Sequence, residues 1–370
     1  MGNSASALPF SIDNQIGAPQ DHNGWALHVG KSASDGSAVS VFVGKKPLLA
    51  KTPVSQRTPS LTQLKPANHH YQNCRKLRHP QILTVHATLD TDNPKEATTA
   101  GATAEASVAS SVTTGDLIIV TEPCIALEQW FRSKPGPEQL AWGLECVVRG
   151  LHFLHSSANL AHGNLSPSSF YVTPAGDVKL WNFSLITPIG PNAATGGPTK
   201  HFQEWEGPCT PDAYRSPERI ERRFDALANA GVHCMDSYSL GILIDHWFPG
   251  AIPQPIQKAV QRLQTMNLKM RPRLQPLLKC PIFDTPYQKV QLLLEEITVK
   301  PVEQKIMAWQ NLGNMVQADL LPQSTAVYKM WPLLKSNIVM ICTNEAMLSQ
   351  DLYRREGTWN IIDGRTDQRS

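Results

Sequence analysis

The sequence lacks several features that would assign the chain to a common functional class. Its seven cysteines are scattered and include no Cys-x-x-Cys pair, which argues against a disulfide framework or a zinc site and suits a reducing compartment. No apolar run approaches the length that crosses a bilayer, and no secretory segment is recognisable. Charged residues are only 18% of the 370 positions, and the net charge of +3 identifies no partner by itself. The sequence predicts a soluble intracellular protein, or one attached to a membrane from outside the bilayer.

Acidic residues are absent from Gly36 to Leu89, where every charged side chain is basic. The basic residues are Lys45, Lys46, Lys51, Arg57, Lys65, Arg75, Lys76 and Arg78. One interpretation is an ordinary solvated face; the other is an electrostatic patch for anionic lipid or an acidic partner.

The N-terminus carries a second membrane-related pattern. Gly2 follows the initiating Met and Ser6 lies at the hydroxyl position, as in N-myristoylation signals. The alternative is an unstructured start that matches a loose motif. One myristoyl chain binds membrane only marginally, so a second signal is required for stable attachment.

The segment from His162 to Ser184 resembles the catalytic segment of a protein kinase, with counterparts of H-R-D-L-x-x-x-N and D-F-G in the right order and spacing. Asn164 replaces the catalytic Asp, Ser169 the metal-binding Asn, and Asn182 the Asp of D-F-G. An amide does not titrate near neutral pH, so Asn164 cannot act as a general base. Mg²⁺ prefers charged oxygen, which neither Ser169 nor Asn182 supplies. The sequence therefore predicts a kinase-like fold that lacks the catalytic base and the metal-binding residues.

The N-terminal part of the kinase-like region also lacks the residues that bind nucleotide in an active kinase. The G-x-G-x-x-G spacing is absent from Gly17 to Gly24, within a region that reads as three strands from about Phe10 to Val43. Phe42 occupies the position of the lysine in V-A-I-K, and period two places Ser40 and Phe42 on the face toward the cleft. Gly44 to Ala67 reads as a loop before a short helix, in which His70 falls where the helix C glutamate is expected. No Lys–Glu ion pair is predicted.

The hinge could still bind adenine, because adenine contacts the backbone there and the side-chain replacements in the kinase motifs do not remove the backbone groups. Thr121 to Cys124 lies at the gatekeeper and hinge of the kinase pattern, where adenine would contact the backbone of Glu122 and Cys124. The preceding stretch, residues 91–116, is rich in Ala, Thr and Ser without periodicity, and it reads as a disordered insertion.

Residues that hold the large lobe of a kinase together are retained. Ser216-Pro217-Glu218 matches A-P-E, Asp236 begins a counterpart of D-x-W-S-x-G, and Arg271 matches the arginine that pairs with the A-P-E glutamate. Upstream, Glu138 to Ser157 carries an apolar stripe that predicts a long core helix. The stripe comprises Leu140, Leu144, Val147, Val148, Leu151 and Leu154.

From Pro286 onward the pattern changes to paired helices, which predicts the start of a HEAT-type solenoid. Such a solenoid needs about three repeats to bury its faces, so the short C-terminus reads as a truncated or spliced product. The predicted divisions are a tail and first-strand region (1–24), a pseudokinase domain (25–285), incomplete HEAT-type repeats (286–335) and a polar tail (336–370).

This combination of degenerate motifs and following helices resembles the Scy-like family of inactive kinases over roughly residues 25–335. The resemblance implies an α+β, two-lobed kinase-like fold, a scaffold that binds coat or cytoskeletal proteins in Golgi–endoplasmic-reticulum traffic, and no phosphoryl transfer. It implies no magnesium site, and ATP binding that is weak or absent. With the acylation motif and the basic loop, it predicts peripheral attachment at the cytosolic face of Golgi or related membranes.

Three functions remain open at the level of sequence: a non-catalytic scaffold, a nucleotide-binding switch or weakly active kinase, and a tRNA-export adaptor. The third is disfavoured because the sequence shows no basic surface interleaved with aromatic residues.

Overall fold

The structure, a computed structural model, describes residues 9–18, 24–45, 61–92, 98–99, 115–189, 200–248, 250–315 and 320–343. Gly2 with its acylation motif, the basic positions from Lys46 to Arg57 and the predicted polar tail from residue 344 lie outside these ranges. The chain divides into two compact units, Met1–Thr285 and Pro286–Ser370. The functional identity of each predicted domain stays a prediction.

The first unit begins with a six-stranded antiparallel sheet of order β1-β2-β3-β6-β4-β5. Its strands are β1 (Gln15–Ile16), β2 (Ala26–Lys31), β3 (Ala38–Lys45), β4 (Val85–Asp90), β5 (Thr98–Thr99) and β6 (Asp116–Thr121). Side chains alternate along β3 because successive residues of a strand face opposite sides. Val39 and Val41 pack in one hydrophobic cluster with Ile118 and Val120, so Ser40 and Phe42 face the other side, toward the helical lobe.

Two sequence-based expectations about the small lobe, which contains the six-stranded sheet, are wrong. The segment read as a loop up to Ala67 is helical from Leu61, since α1 spans Leu61–Cys74 with Pro66 inside it. Proline lacks an N–H and usually ends a helix, and for that reason the sequence suggested a later start. The predicted insertion is also interrupted, because Thr98 and Thr99 pair with Thr88 and Ala87 at the sheet edge.

The helical lobe contains seven helices in the part of the first unit that the structure describes. They are α2 (Leu127–Arg132), α3 (Pro137–Ser156), α4 (Lys200–Cys209), α5 (Pro217–Ile220), α6 (Phe224–Ala230), α7 (Cys234–Trp247) and α8 (Gln254–Leu263). The predicted core helix is α3, and its stripe is buried apart from the half-buried Leu140. This sheet-plus-helix architecture confirms the predicted α+β, kinase-like fold class.

Short strands lie between the lobes. Strands β7 (Ile125–Ala126), β9 (Phe170–Val172) and β10 (Val178–Leu180) form one antiparallel sheet, and β8 (Leu160–Ala161) pairs with β11 (Thr187–Pro188). These pairs hold the segment from His162 to Ser184 beneath the small lobe. The catalytic-segment counterpart is therefore positioned by regular backbone pairing.

The second unit is helical. It comprises α9 (Pro286–Val299), α10 (Val302–Met315), α11 (Gln323–Thr325), a π-helical turn (Ala326–Met330) and α12 (Trp331–Thr343). Its core is built on Val290, Leu294 and Leu312. The helix pattern agrees with the predicted helical region, whereas its assignment as HEAT-type repeats stays a prediction.

Candidate functional site

The hinge is joined to β3 by the side chain of Ser40. The backbone N–H of Cys124 donates to Ser40 Oγ at 3.0 Å, and the Ser40 hydroxyl donates to the Cys124 carbonyl at 3.4 Å. Both residues are buried. Burial also raises the pKa of the Cys124 thiol to about 12, so this thiol is neutral at physiological pH.

Glu122, the other predicted hinge contact, is likewise engaged within the protein. Its backbone N–H donates to the Thr84 carbonyl at 3.1 Å, and its side-chain Oε1 accepts the Thr84 N–H at 2.8 Å. Pro123 between the two has no N–H to offer. Within this hinge, each backbone N–H therefore already has a protein acceptor.

Phe42 lies in an aromatic cluster at the position of the kinase lysine. Its ring is 5.1 Å from Tyr171, edge to face, and 4.9 Å from Trp181, measured between ring centroids. All three rings are buried. Contacts of this geometry each contribute about 0.5–1.5 kcal/mol beyond the burial of area. An apolar ring with aromatic neighbours replaces a cation that would contact phosphate.

His70 completes this cluster from α1. Its ring packs edge to face on Trp181 at 4.6 Å and on Trp25 at 5.2 Å. Trp181 therefore contacts both Phe42 and His70, the two residues that replace the Lys–Glu ion pair. Tilted and edge-to-face ring contacts thus join α1, β3 and the segment before Asn182 at the positions where the sequence motifs predict the Lys–Glu salt bridge of an active kinase.

The protonation state of His70 follows from its surroundings. Burial, followed by the nearby imidazoles of His162 and His69, lowers the pKa of His70 to about 3. The ring is therefore neutral, and its Nδ1 accepts the backbone N–H of Phe183 at 2.9 Å. The hydrogen bond fixes α1 against the counterpart of D-F-G and excludes His70 from acting as a cation at neutral pH.

Asn164, at the position of the catalytic base, is fully buried. Its Oδ1 accepts the Thr210 hydroxyl at 2.8 Å, and Thr210 Oγ1 in turn lies 3.3 Å from the Arg219 guanidinium, which donates. The Ser169 hydroxyl donates to the Asn164 carbonyl. Within the described chain, Asn164 Nδ2 has no hydrogen-bond partner.

Asn182 adopts the left-handed conformation with φ of 60°, which asparagine tolerates better than most residues. Its Oδ1 accepts the Ser184 hydroxyl, and its Nδ2 has no partner among the residues that the structure describes. The positions that present carboxylate acceptors in a kinase thus present buried amide donors here. The described chain also contains no cluster of three or more His, Cys, Asp or Glu side chains arranged to hold a metal.

Asp236 anchors the segment beneath these positions. Its carboxylate accepts the backbone N–H groups of His162 at 2.7 Å and Gly163 at 2.8 Å, and it lies 2.8 Å from His155 Nε2. Burial would raise the pKa of Asp236, but these bonds, led by His155, hold it below its ordinary value. Asp236 therefore stays ionised and holds the turn that carries Asn164.

Glu218 and Arg271, which the sequence pairs through kinase motifs, form a two-pronged ion pair. Arg271 Nη1 and Nη2 donate to Glu218 Oε1 and Oε2 at 2.7 and 2.9 Å. Both side chains are essentially inaccessible to solvent. Burial by itself would raise the pKa of Glu218, and the Arg271 hydrogen bonds bring it below the ordinary value.

Sequence reasoning missed the residues that complete the site. Trp181, Tyr171 and Trp25 surround Phe42 and His70, and Thr210 binds Asn164 from outside the motif segment. The available signal was Trp181, a large ring directly before Asn-Phe-Ser that immediately follows strand β10. Phe42 and His70, its contacts from β3 and α1, could not be read from the sequence because they lie far away along the chain.

The fold and site together define a protein-kinase-like chain in which neutral or aromatic side chains occupy the positions that the sequence motifs predict to correspond to the catalytic ones. No family model matches the sequence. The chain is 23% identical over 93% of its length to "Probable inactive serine/threonine-protein kinase scy1" of Dictyostelium discoideum, and 23% identical over 92% to human "SCY1-like protein 2". Its curated homologues are thus Scy1 and SCY1-like protein 2, of an inactive kinase family, and the predicted resemblance is confirmed.

Two further comparisons extend this result. A mouse protein named "Protein-associating with the carboxyl-terminal domain of ezrin" is 25% identical over 55% of the chain and 28% of its own length. The crystal structure of Cex1p matches with a TM-score of 0.61 at 17% identity, covering 96% of this chain and 58% of that one, which supports the fold. The chain spans about 39% of the Dictyostelium relative and 38% of the human one. No helix in the described ranges is long and apolar enough to cross a membrane.

Proposed function

We propose that this chain is a non-catalytic scaffold whose nucleotide cleft is closed by its own side chains. The observation that carries the proposal is the ring series Phe42–Trp181–His70, with centroid distances of 4.9 and 4.6 Å. It places buried, uncharged rings at the positions predicted for the Lys–Glu pair. The Ser40–Cys124 hydrogen bonds close the hinge on the same side of the sheet.

The residues present do not fit a magnesium–nucleotide complex. Catalysis of phosphoryl transfer rests on positioning and on cations that stabilise the transferred group. Phe42 offers no charge to phosphate, Asn164 cannot take up a proton, and Asn182 offers a metal only a neutral oxygen that already accepts from Ser184. No step of phosphoryl transfer can be assigned to these groups.

The name of one relative and two sequence motifs support a proposal for the partners and the location. One relative is named for association with ezrin, and by analogy this chain binds trafficking or cytoskeletal proteins. We place it at the cytosolic face of Golgi or related membranes, held by acylated Gly2 and the basic residues of the acid-free stretch that begins at Lys45. A single myristoyl chain gives a partition constant of only about 10⁴ M⁻¹, and each basic residue near an anionic leaflet adds about 1 kcal/mol.

A titration with ATP tests the closed cleft. The melting temperature of the purified chain should not change with ATP up to millimolar concentration, with or without Mg²⁺, and no phosphate should be transferred to a generic protein substrate. Magnesium-dependent stabilisation would instead support a nucleotide-binding switch. Substrate phosphorylation that is abolished by Asn164→Ala would support a weakly active kinase.

Liposome flotation tests the attachment separately. The acylated chain should float with anionic vesicles, and Gly2→Ala or high salt should release it. Flotation that ignores both changes would refute the two-signal attachment and indicate a protein receptor.

A further inference from the structure

The chain from residue 246 to residue 283 contains no Asp or Glu, although it contains six Lys or Arg residues. One of the six, Arg271, is buried in its ion pair with Glu218. The others are exposed: Lys258, Arg262, Lys269, Arg273 and Lys279. Within the part of the chain that the structure describes, none of these exposed cations forms an ion pair. The region of α8 and the 3₁₀ turns after it therefore carries a positive surface that the kinase motifs do not explain.

Two methionines are exposed in the middle of this stretch. Met266 is 65% exposed and Met270 is 64% exposed. Among the described residues of the first unit, the other exposed large apolar side chains are Val29 and Ile220. Single exposed apolar residues are common on protein surfaces, but Met266 and Met270 lie together at the 3₁₀ turn Leu268–Met270. We call residues 265–273 the methionine turn.

The backbone of the methionine turn separates a core side from a solvent side. Residues three apart lie on the same side of a 3₁₀ helix. Leu268 packs on a hydrophobic cluster that includes Phe224 of α6, and Arg271, three residues later, is buried. Lys269 and Met270 lie between these two inward residues and are exposed. The local geometry thus presents a cation and an apolar side chain next to each other.

Arg271 holds the methionine turn from the core side. Its Nε donates to the Thr265 carbonyl at 2.9 Å and its Nη1 to the Cys234 carbonyl at 3.2 Å, in addition to the two bonds with Glu218. The guanidinium also lies 4.8 Å from the centroid of the Tyr238 ring. A surface fixed in this way loses little conformational freedom when a partner binds, and this favours affinity.

The acidic side chains on the neighbouring elements are mostly engaged. Asp245 of α7 accepts the Gln264 amide at 2.5 Å, and Glu221 pairs with Arg223 at 2.5 Å. Asp225, in the first turn of α6, is exposed. These few carboxylates do not balance the exposed cations of the stretch, so the surface favours a partner of negative charge.

We propose that the methionine turn docks an acidic segment of a partner protein that carries apolar side chains between its carboxylates. The carboxylates would contact Lys269 and Arg273, and the apolar side chains would pack on Met266 and Met270. Methionine is unbranched and polarizable, so it adapts to apolar partners of varied shape. This proposal rests on the scaffold function and names the chemistry of one contact that the scaffold makes.

Nucleic acid and lipid fit this surface less well than an acidic protein segment. Single-stranded nucleic acids bind by stacking on aromatic side chains, and helices at membrane surfaces insert Trp, Phe or Leu. The Trp and Phe side chains of the stretch, namely Trp247, Phe248 and Phe283, are buried. An ordinary solvated face is the remaining alternative, and in that case substitutions on the methionine turn would not affect binding.

The test begins with a phage library of random peptides that is selected on the whole immobilised chain. The selected peptides are then synthesised, and their binding is measured by fluorescence anisotropy. They should be enriched in Asp and Glu together with Leu, Ile or Phe, and high salt should weaken their binding. Lys269→Glu and Met270→Ser should each weaken binding at least about tenfold, since each removes one of the two kinds of contact.

Matched controls come from exposed residues outside the stretch. Lys31→Glu in β2 and Met307→Ser in α10 replace an exposed lysine and an exposed methionine, and both variants should bind the peptides as the wild type does. Lys269→Arg keeps the charge and Met270→Leu keeps the apolar surface, so both should retain the wild-type affinity.

Selected peptides without an acidic bias, or recovery of no peptide, would overturn the proposal. Equal binding by the wild type, Lys269→Glu and Met270→Ser would do so too. Anionic vesicles or single-stranded RNA whose binding Lys269→Glu abolishes, while peptide binding stays unchanged, would show that the surface serves a different class of partner.

Melting of each variant shows whether it is folded, and Met266→Ser serves where Met270→Ser is unstable. The ATP titration is independent of this test: stabilisation by ATP would refute the closed cleft whatever the methionine turn binds.

Discussion

The hydroxyl of Ser40 accepts the backbone N–H of Cys124 at 3.0 Å, across 84 residues of sequence. It also donates to the carbonyl of the same residue at 3.4 Å. A single small side chain on β3 therefore satisfies both backbone groups of a hinge residue. An adenine that used this N–H would first have to break a buried intramolecular hydrogen bond.

Replacing Ser40 with Ala should destabilise the small lobe. The Cys124 N–H would be left buried without an acceptor, which costs about 1–3 kcal/mol. Urea unfolding measures the free energy, with Ser34→Ala in the exposed hairpin turn as the control, expected within about 0.5 kcal/mol of wild type. Equal stability of Ser40→Ala and wild type would show that the hydroxyl contributes nothing to the hinge.

Truncating Trp181 should be among the more damaging core changes. Trp181→Ala removes the ring that contacts Phe42 and His70, and we expect a loss of about 3–5 kcal/mol, with a smaller loss for Trp181→Phe. A double-mutant cycle with Phe42→Leu should give a coupling free energy of about 0.5–1.5 kcal/mol. Strictly additive effects would mean that the two rings do not support each other.

The stability of the chain should fall as the pH falls from neutral, partly through His70. Its folded pKa is about 3, below the ordinary 6.5, so the unfolded chain takes up a proton that the folded chain refuses. The contribution of neutral His70 to the free energy of unfolding is complete above pH 6.5 and is lost as the pH falls toward 3. In this window one such group changes the free energy of unfolding by up to about 1.4 kcal/mol per pH unit.

His70→Gln should flatten this dependence between pH 6.5 and 4, as measured by urea unfolding at several pH values. His79 and His233, whose pKa values burial lowers to about 4, contribute equally in both proteins and cancel in the comparison. The same slope in wild type and His70→Gln would contradict a neutral, buried His70.

Removing Arg271 should destabilise the helical lobe strongly. Arg271→Ala leaves the Glu218 carboxylate buried and unpaired, which costs about 3–5 kcal/mol. Arg223→Ala is the control, because its ion pair with Glu221 is half exposed on both sides and should be worth less than about 1 kcal/mol. Similar melting temperatures for Arg271→Ala and Arg223→Ala would show that the buried pair contributes no more than the surface one.

The sequence allowed contiguous motifs to be predicted, but not elements that lack a local pattern. The substitutions at Asn164, Ser169 and Asn182 could be recognised because the motif is contiguous and its spacing survives. The start of α1 was missed because Pro66 resembles a helix breaker, and β5 was missed because two threonines in a low-complexity stretch carry no periodic signal. Neither feature has a local pattern that distinguishes it from a loop.

By itself the sequence determined which side chains stand at the predicted catalytic positions, and it therefore predicts that a base, a phosphate-binding lysine and charged metal ligands are replaced there. It also carried the family resemblance and the fold class. Only the tertiary structure decided what replaces that chemistry, namely Trp181 between Phe42 and His70, and Ser40 on the Cys124 backbone. These contacts join residues from β3, α1, the hinge and the segment before Asn182. Because packing and hydrogen bonding depend on distance in space and not on spacing in the chain, no sequence pattern encodes them.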